Sequence, residues 1–150
     1  MEKFKRLLPE VERMEPLAGG EGPDFWKAYD ASGTLLGYAF AAKVPETIPD
    51  IPGMDEMDRY IVAGMVDPKE HKIINVEISL DPEGPAEPWT KEITGPAFQK
   101  QYVGLTMNEI DLSPDGKIDA ITDATMSSTW ITNAIRDKVS EVLKRVTGQY

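Results

Sequence analysis

A single long apolar stripe near the C-terminal end constrains the fold of this chain more than any other feature. Apolar residues recur there at the i, i+3, i+4, i+7 spacing of one helix face, and charged residues occupy most of the other positions. The stripe comprises Trp130, Ile131, Ala134, Ile135, Val139, Val142, Leu143 and Val146. Gly148 is suited to end this helix, because glycine readily adopts the left-handed conformation that follows a last helical turn.

Several extended segments precede the helix and follow one another along the chain. In Lys72–Leu80, apolar residues from Ile74 onward alternate with polar ones, which indicates a strand with one buried and one wet face. A short helix is predicted over Pro96–Leu105. Further strands are predicted at Phe25–Ala31, Thr34–Ala42 and Tyr60–Val66, and a strand pair at Ile110–Leu112 with Ile118–Ile121. Because the strands cluster, the pattern predicts an α+β fold, a mostly antiparallel sheet packed with a long C-terminal helix and shorter helices.

The first 16 residues show helical spacing of apolar side chains, and Pro9 is expected to start a short helix there. A glycine-rich stretch with Pro23 follows, which is typical of a loop. We therefore predict an N-terminal helical segment and linker over residues 1–23, and one domain over residues 24–150. A total of 150 residues suits a single domain.

Charge and composition exclude several classes of function. The chain has 16 Lys+Arg against 26 Asp+Glu, a net charge of −10, which disfavours nucleic acid and anionic lipid as partners. It has no cysteine and a single histidine, His71, so thiolate, iron–sulfur and multi-histidine metal sites are excluded. The acidic loop around Asp55 lacks the spacing of a calcium loop, so no metal is expected. No apolar run approaches the roughly 18–20 residues of a membrane helix, and a soluble chain without a membrane segment is expected.

Hydroxyl side chains crowd the start of the long helix. Such side chains cap the unpaired N–H groups of a first helical turn, and the same N–H groups and the helix dipole also favour a phosphate. One capping residue is sufficient for a helix, so the residues alone leave both interpretations open. The cluster consists of Thr122, Asp123, Thr125, Ser127, Ser128 and Thr129.

The segment Asp119–Ser128 resembles the flavinylation motif of the FMN-binding domain family. That family includes the C-type subunit of the sodium-translocating NADH:quinone reductase and the G-type subunit of the related Rnf electron-transport complex. Its motif reads Asp, two variable residues, Ser or Thr, usually Gly, then Ala-Thr, a variable residue and Ser or Thr. The resemblance implies that Thr125 receives FMN through a phosphoester placed by a dedicated flavin transferase. It also implies that the cofactor-binding segment includes Asp119, Thr122, Asp123, Ala124, Met126, Ser127 and Ser128.

The resemblance extends over roughly residues 24–146. Leu35–Phe40 and Ile73–Ile78 resemble strands of the family, and Phe98–Gly104 resembles its aromatic-x-x-Gln-aromatic-x-Gly segment. The family's Glu-Thr-Pro-Gly loop corresponds to Asp81–Glu92, which has a different sequence.

Two residues of that divergent loop are further candidates for flavin contacts. Trp89 is suited to stack on the flavin ring, and Lys91 to stabilise a reduced, anionic flavin. Partial core burial of Trp89 and a solvated surface position of Lys91 are the alternatives.

The implied function is electron carriage by FMN in a membrane-linked redox chain, as a carrier or complex subunit and not as a stand-alone enzyme. The implied partners are redox proteins of a membrane electron-transport complex and the flavin transferase. Complex-bound relatives have an N-terminal membrane helix and place this domain on the outer face of the membrane. If such a helix precedes this chain, the location is extracytoplasmic; otherwise a soluble protein is expected. Asp123, which replaces the motif glycine, favours two alternatives, a noncovalent FMN-binding domain and a flavin-free interaction module of the same fold.

Overall fold

A five-stranded sheet and a long C-terminal helix form the body of the molecule. A computed structural model describes residues 2–17, 25–44, 59–80, 90–122 and 124–147. The strands are β1 (Arg13–Pro16), β2 (Phe25–Tyr29), β3 (Leu35–Val44), β4 (Tyr60–Val66) and β5 (Ile73–Leu80). The helices are α1 (Glu2–Leu7), α2 (Thr90–Ile93), α3 (Pro96–Lys100) and α4 (Thr125–Thr147), with a short 3-10 helix at Met107–Glu109.

The sheet is an antiparallel meander in the order β1-β2-β3-β4-β5. The turn between β2 and β3 is closed by Asp30, whose Oδ1 accepts from the backbone N–H groups of Ser32 and Thr34 at 2.9 Å each. Gly33 supplies the positive φ of 87° that this turn requires. The predicted α+β fold with a mostly antiparallel sheet is confirmed.

One face of the sheet carries the main core and the other a smaller one. α4 packs mainly on β3, where the ring of Phe40 lies opposite Gly64 on β4. A Cβ on Gly64 would stand 2.2 Å from that ring, so this pairing requires glycine. Large apolar side chains of all the central strands join α4 in the main core. The other face combines alanines of the central strands with larger apolar side chains and is covered by α1.

The N-terminal segment departs from its helical pattern. α1 ends at Leu7, before Pro9, and residues 13–16 form the edge strand β1. Proline lacks the N–H of an interior helical residue and disfavours helix in the residue before it, which explains the break. The expectation that Pro9 starts a helix is therefore wrong, since the helix precedes it. The domain boundary between residues 23 and 24 stays a prediction.

The face of β5 that was expected to be wet is partly covered by α1. Both Nε and Nη2 of Arg6 donate to the Glu77 carboxylate at 2.7 Å, and Asn75 donates to the Leu7 carbonyl at 3.4 Å. The register shifts between Met65 and Val66, so Ile74 faces α1 while its neighbour Ile73 joins the main core.

The expected strand pair at residues 110–121 is a compact loop. Its two halves share a single isolated bridge between Leu112 and Ile118, while Ile110 and Ile118 are both buried in the main core. The backbone of Asp119, which would continue the second strand, bonds instead to the side chain of Gln101. Within the described ranges, no helix is both long and apolar enough to span a membrane.

Candidate functional site

The hydroxyl cluster lies at the N-terminal end of α4, which begins at Thr125. Thr125 is exposed, and the side chain of its neighbour Met126 is also open to solvent, at 48% exposure. The N–H groups of the first turn lack an acceptor within the helix, and the helix dipole adds positive potential there. The exposed Thr125 therefore lies beside the helix N-terminus, which favours an anion.

Buried side chains lie directly behind Thr125. Ala124 and Ser127 are nearly buried, at 3% and 5% exposure, and Ser128 is fully buried. Ser128 Oγ accepts a hydrogen bond from the Ile121 N–H at 3.1 Å, and Ile121 O accepts from the Ala124 N–H at 2.9 Å. The chain before Thr125 is thus tied to the first turn of α4. Residues 119–128 are called the acceptor segment here, after the role predicted for Thr125. Ser128 supports this segment from the core side, while Thr125 stays at the surface.

The start of the motif is held by Gln101. Its side-chain oxygen accepts from the Asp119 N–H at 2.7 Å, and its Nε2 donates to the Asp119 carbonyl at 3.2 Å. The side chain of Asp119 itself is exposed, as is Thr122. Gln101 belongs to the aromatic-x-x-Gln-aromatic-x-Gly segment, so the sequence carried a signal for this residue but no indication of its contact.

Tyr102 fixes the same segment to the body of α4. Its hydroxyl lies 2.8 Å from Thr132 Oγ1, and both side chains are fully buried. Burial raises the pKa of Tyr102 above its ordinary value, so the hydroxyl stays protonated and available for this hydrogen bond. The acceptor segment and α4 are therefore both braced by residues 101 and 102.

Three predicted site residues remain, and the structure describes only Lys91 among them. Lys91 is exposed on α2, and no hydrogen bond among the described residues joins it to the Thr125 segment. Trp89 and Asp123 lie outside the described residues, as does most of the divergent loop before α2. The roles predicted for these three residues stay predictions.

Two clefts in the described part of the chain lie away from Thr125. One of about 320 Å³ is bounded by the 3-10 helix and by Arg136 on α4. The other, of about 350 Å³, lies between the β1 edge and Arg145 near the end of α4. No group of three or more acidic or histidine side chains that could hold a metal occurs among the described residues.

Two comparisons with known proteins identify the family of this chain. A model of the FMN-binding domain matches residues 58–140, more than half of the chain, and this range contains both Gln101 and Thr125. The G-type subunit of an ion-translocating oxidoreductase complex from Methanosarcina acetivorans is 29% identical over 149 aligned positions, which cover 94% of this chain and 73% of that protein. No solved structure gave a match. The chain belongs to the FMN-binding domain family.

Proposed function

We propose that this protein carries FMN bonded to Thr125 and serves as an electron carrier in a multi-subunit oxidoreductase complex. The observation that carries the proposal is the exposed Thr125 at the start of α4, inside the region matched by the FMN-binding domain. The relative named above is a subunit of an ion-translocating oxidoreductase complex, which supports a redox complex as the setting.

The residues present fit a flavin phosphate. Thr125 supplies an exposed hydroxyl, and the first-turn N–H groups of α4 supply donors for phosphate oxygens. When bound, FMN supplies the redox chemistry through its ring system, and the protein holds the cofactor and tunes its potential. A phosphoester at Thr125 prevents dissociation of the cofactor at low flavin concentration.

Loading of Thr125 is a substitution at phosphorus. The Thr125 oxygen forms a bond to the flavin phosphate of an activated flavin dinucleotide, the bond to the departing nucleotide breaks, and the hydroxyl proton is released. A flavin transferase performs this step in the proposal. In the folded chain, the first-turn N–H groups of α4 would hold the phosphate oxygens, while the bonds of Ser128 and Ala124 to Ile121 fix the chain before Thr125.

Trp89 and Lys91 complete the proposed site. Trp89 stacks on the flavin ring and Lys91 stabilises the reduced, anionic form. The partners are redox proteins of a membrane electron-transport complex, and a location on the outer face of the membrane applies if a membrane helix anchors the chain. The FMN-binding domain spans residues 24–150 in this proposal.

Intact mass of the protein co-expressed with a flavin transferase tests the proposal. We expect a gain of one FMN less one water in the unchanged protein and no gain in Thr125→Val, which has the same shape but no hydroxyl. Thr129→Val is the matched control, because Thr129 lies one turn later and its hydroxyl donates to the Thr125 carbonyl at 2.7 Å. This control is expected to gain the full mass.

Two other outcomes would redirect or contradict the proposal. A yellow native protein without the mass gain would indicate noncovalent FMN, with Asp123 the first residue to exchange for glycine. A colourless protein without the gain, even after incubation with FMN, would contradict flavin carriage and leave an interaction module of the same fold.

A further inference from the structure

Gln101 is the only residue described in the structure whose side chain bonds both backbone groups of Asp119, the first residue of the acceptor motif. We infer that Gln101 is a positioning residue for flavin loading, which holds the acceptor segment in the form that the transferase binds. This inference rests on the proposed loading of Thr125.

The contact has the geometry of a strand partner. As a neighbouring strand would, the Gln101 amide accepts from the Asp119 N–H at 2.7 Å and donates to the Asp119 carbonyl at 3.2 Å. Both distances lie in the range of sound hydrogen bonds. Gln101 is half-buried and follows α3, so its own backbone is fixed by the packing of Phe98 and Tyr102 in the main core. The backbone that carries the Gln101 side chain is therefore held in place by the main core.

Two side chains hold the backbone of the acceptor segment. Gln101 holds Asp119, and Ser128 holds Ile121 from the other side of Thr125. Ala120, between these two points, and Thr122, just after them, are exposed, so few packing contacts restrain them. Loss of the Gln101 clamp would leave Asp119 and Ala120 held through their neighbours, the buried Ile118 and the Ser128-bonded Ile121. A segment that is already ordered avoids part of the entropy cost of binding, which is the physical reason for a positioning role.

Gln99 provides a matched control two residues earlier. Its Oε1 accepts from the Ile78 N–H at 2.9 Å, and its Nε2 donates to the carbonyls of Thr94 and Gly95 at 2.7 and 2.9 Å. Gln99 thus clamps backbone in the same way, but it joins β5 to the turn before α3 and makes no bond to the motif. Gln101→Met and Gln99→Met each replace a clamping amide by an apolar side chain of similar length.

The rate of flavin loading separates the two clamps. The test uses the full chain, a purified flavin transferase and a flavin dinucleotide, at a temperature where all variants are folded, with loading followed by intact mass. We expect Gln101→Met to lower kcat/KM for the acceptor protein by about tenfold, the factor expected for two lost hydrogen bonds of ordinary strength. Gln99→Met is expected to stay within about twofold of the unchanged protein.

Amide hydrogen exchange gives a readout that does not depend on the flavin. In the flavin-free protein, the Asp119 amide is expected to exchange about tenfold faster in Gln101→Met, while amides of β3 and β4 keep their rates. Unchanged exchange at Asp119 would show that the clamp does not form in solution, and would overturn the inference.

The loading test distinguishes failure of the proposed function from failure of the inference about Gln101. If the unchanged protein takes up no flavin, the proposed loading fails and the inference falls with it. If the unchanged protein loads and Gln101→Met matches or exceeds it, the inference alone is overturned, because the transferase would then accept a loosened segment. An equal loss in Gln99→Met would also overturn it, since the effect would be a general loosening of this region.

Discussion

The two ends of α4 have different tasks, although one continuous helix of 23 residues joins them. At its N-terminal end, hydroxyl residues predominate and Thr125 and Met126 are open to solvent. From residue 135 to the end of the helix, which we call the packed half, Ile135, Val139 and Val142 are fully buried against the sheet. The comparison shows that the packed half anchors the helix, while the exposed end is free to carry chemistry.

The comparison predicts that the largest loss of stability comes from the packed half. Ile135→Ala removes a fully buried side chain and is expected to lower the free energy of unfolding by about 2–5 kcal/mol. Ile135→Val deletes one methylene and is expected to cost about 0.5–1.5 kcal/mol. Urea denaturation of both variants measures this. A cost below that of an ordinary surface substitution would mean that this half of α4 does not anchor the helix.

A smaller loss of stability is expected at the N-terminal end of α4, where the helix meets the acceptor segment. Ser128→Ala leaves the half-buried Ile121 N–H without its acceptor, and should lower the free energy of unfolding by about 1–3 kcal/mol. Ser127→Ala is the matched control, since Ser127 is also buried but no hydrogen bond of its hydroxyl is found among the described residues. Equal costs in the flavin-free proteins would show that the Ser128 bond does not support the segment.

The smallest loss of stability is expected at Arg145, near the C-terminal end of α4. The Arg145 guanidinium lies 4.3 Å from the centre of the Phe25 ring, and Arg145 Nε donates to Glu141 at 3.0 Å. Arg145→Leu should lower the free energy of unfolding by about 0.7–1.5 kcal/mol, the sum of a cation–π contact and a helix ion pair. Lys144→Leu makes the same charge change at an exposed position and is expected to be near neutral. A larger loss in the Lys144 variant would indicate that overall charge, not the contact with Phe25, determines the effect.

The sequence patterns predicted the regular elements better than the connections. Alternation and helical spacing identified β3, β4, β5 and α4, because each is rich in apolar residues over seven or more positions. β1 was missed, since four residues with one half-buried side chain carry too little pattern to compete with a helical stripe.

The contacts that shape the candidate site left weaker signals in the sequence. The bond from Gln101 to Asp119 spans 18 residues and joins a side chain to backbone, which no local periodicity records. The same is true of Ser128, whose hydroxyl looked like one member of a capping cluster but is buried and bonds Ile121. Thr125 was singled out as the proposed acceptor only through the family motif, because exposed hydroxyls at a helix start are also ordinary caps.

Peptide mapping of the flavin-loaded protein shows which residue carries the flavin. Trypsin cleaves after Lys117 and Arg136, so one peptide, residues 118–136, contains Thr125 together with the other candidate hydroxyls of the segment. Fragmentation of this peptide locates the added mass on a single residue. We expect an added mass of one FMN less one water on Thr125. The same mass on Thr122, Ser127 or Thr129, or on a different peptide, would contradict the assignment of Thr125 as the flavin acceptor.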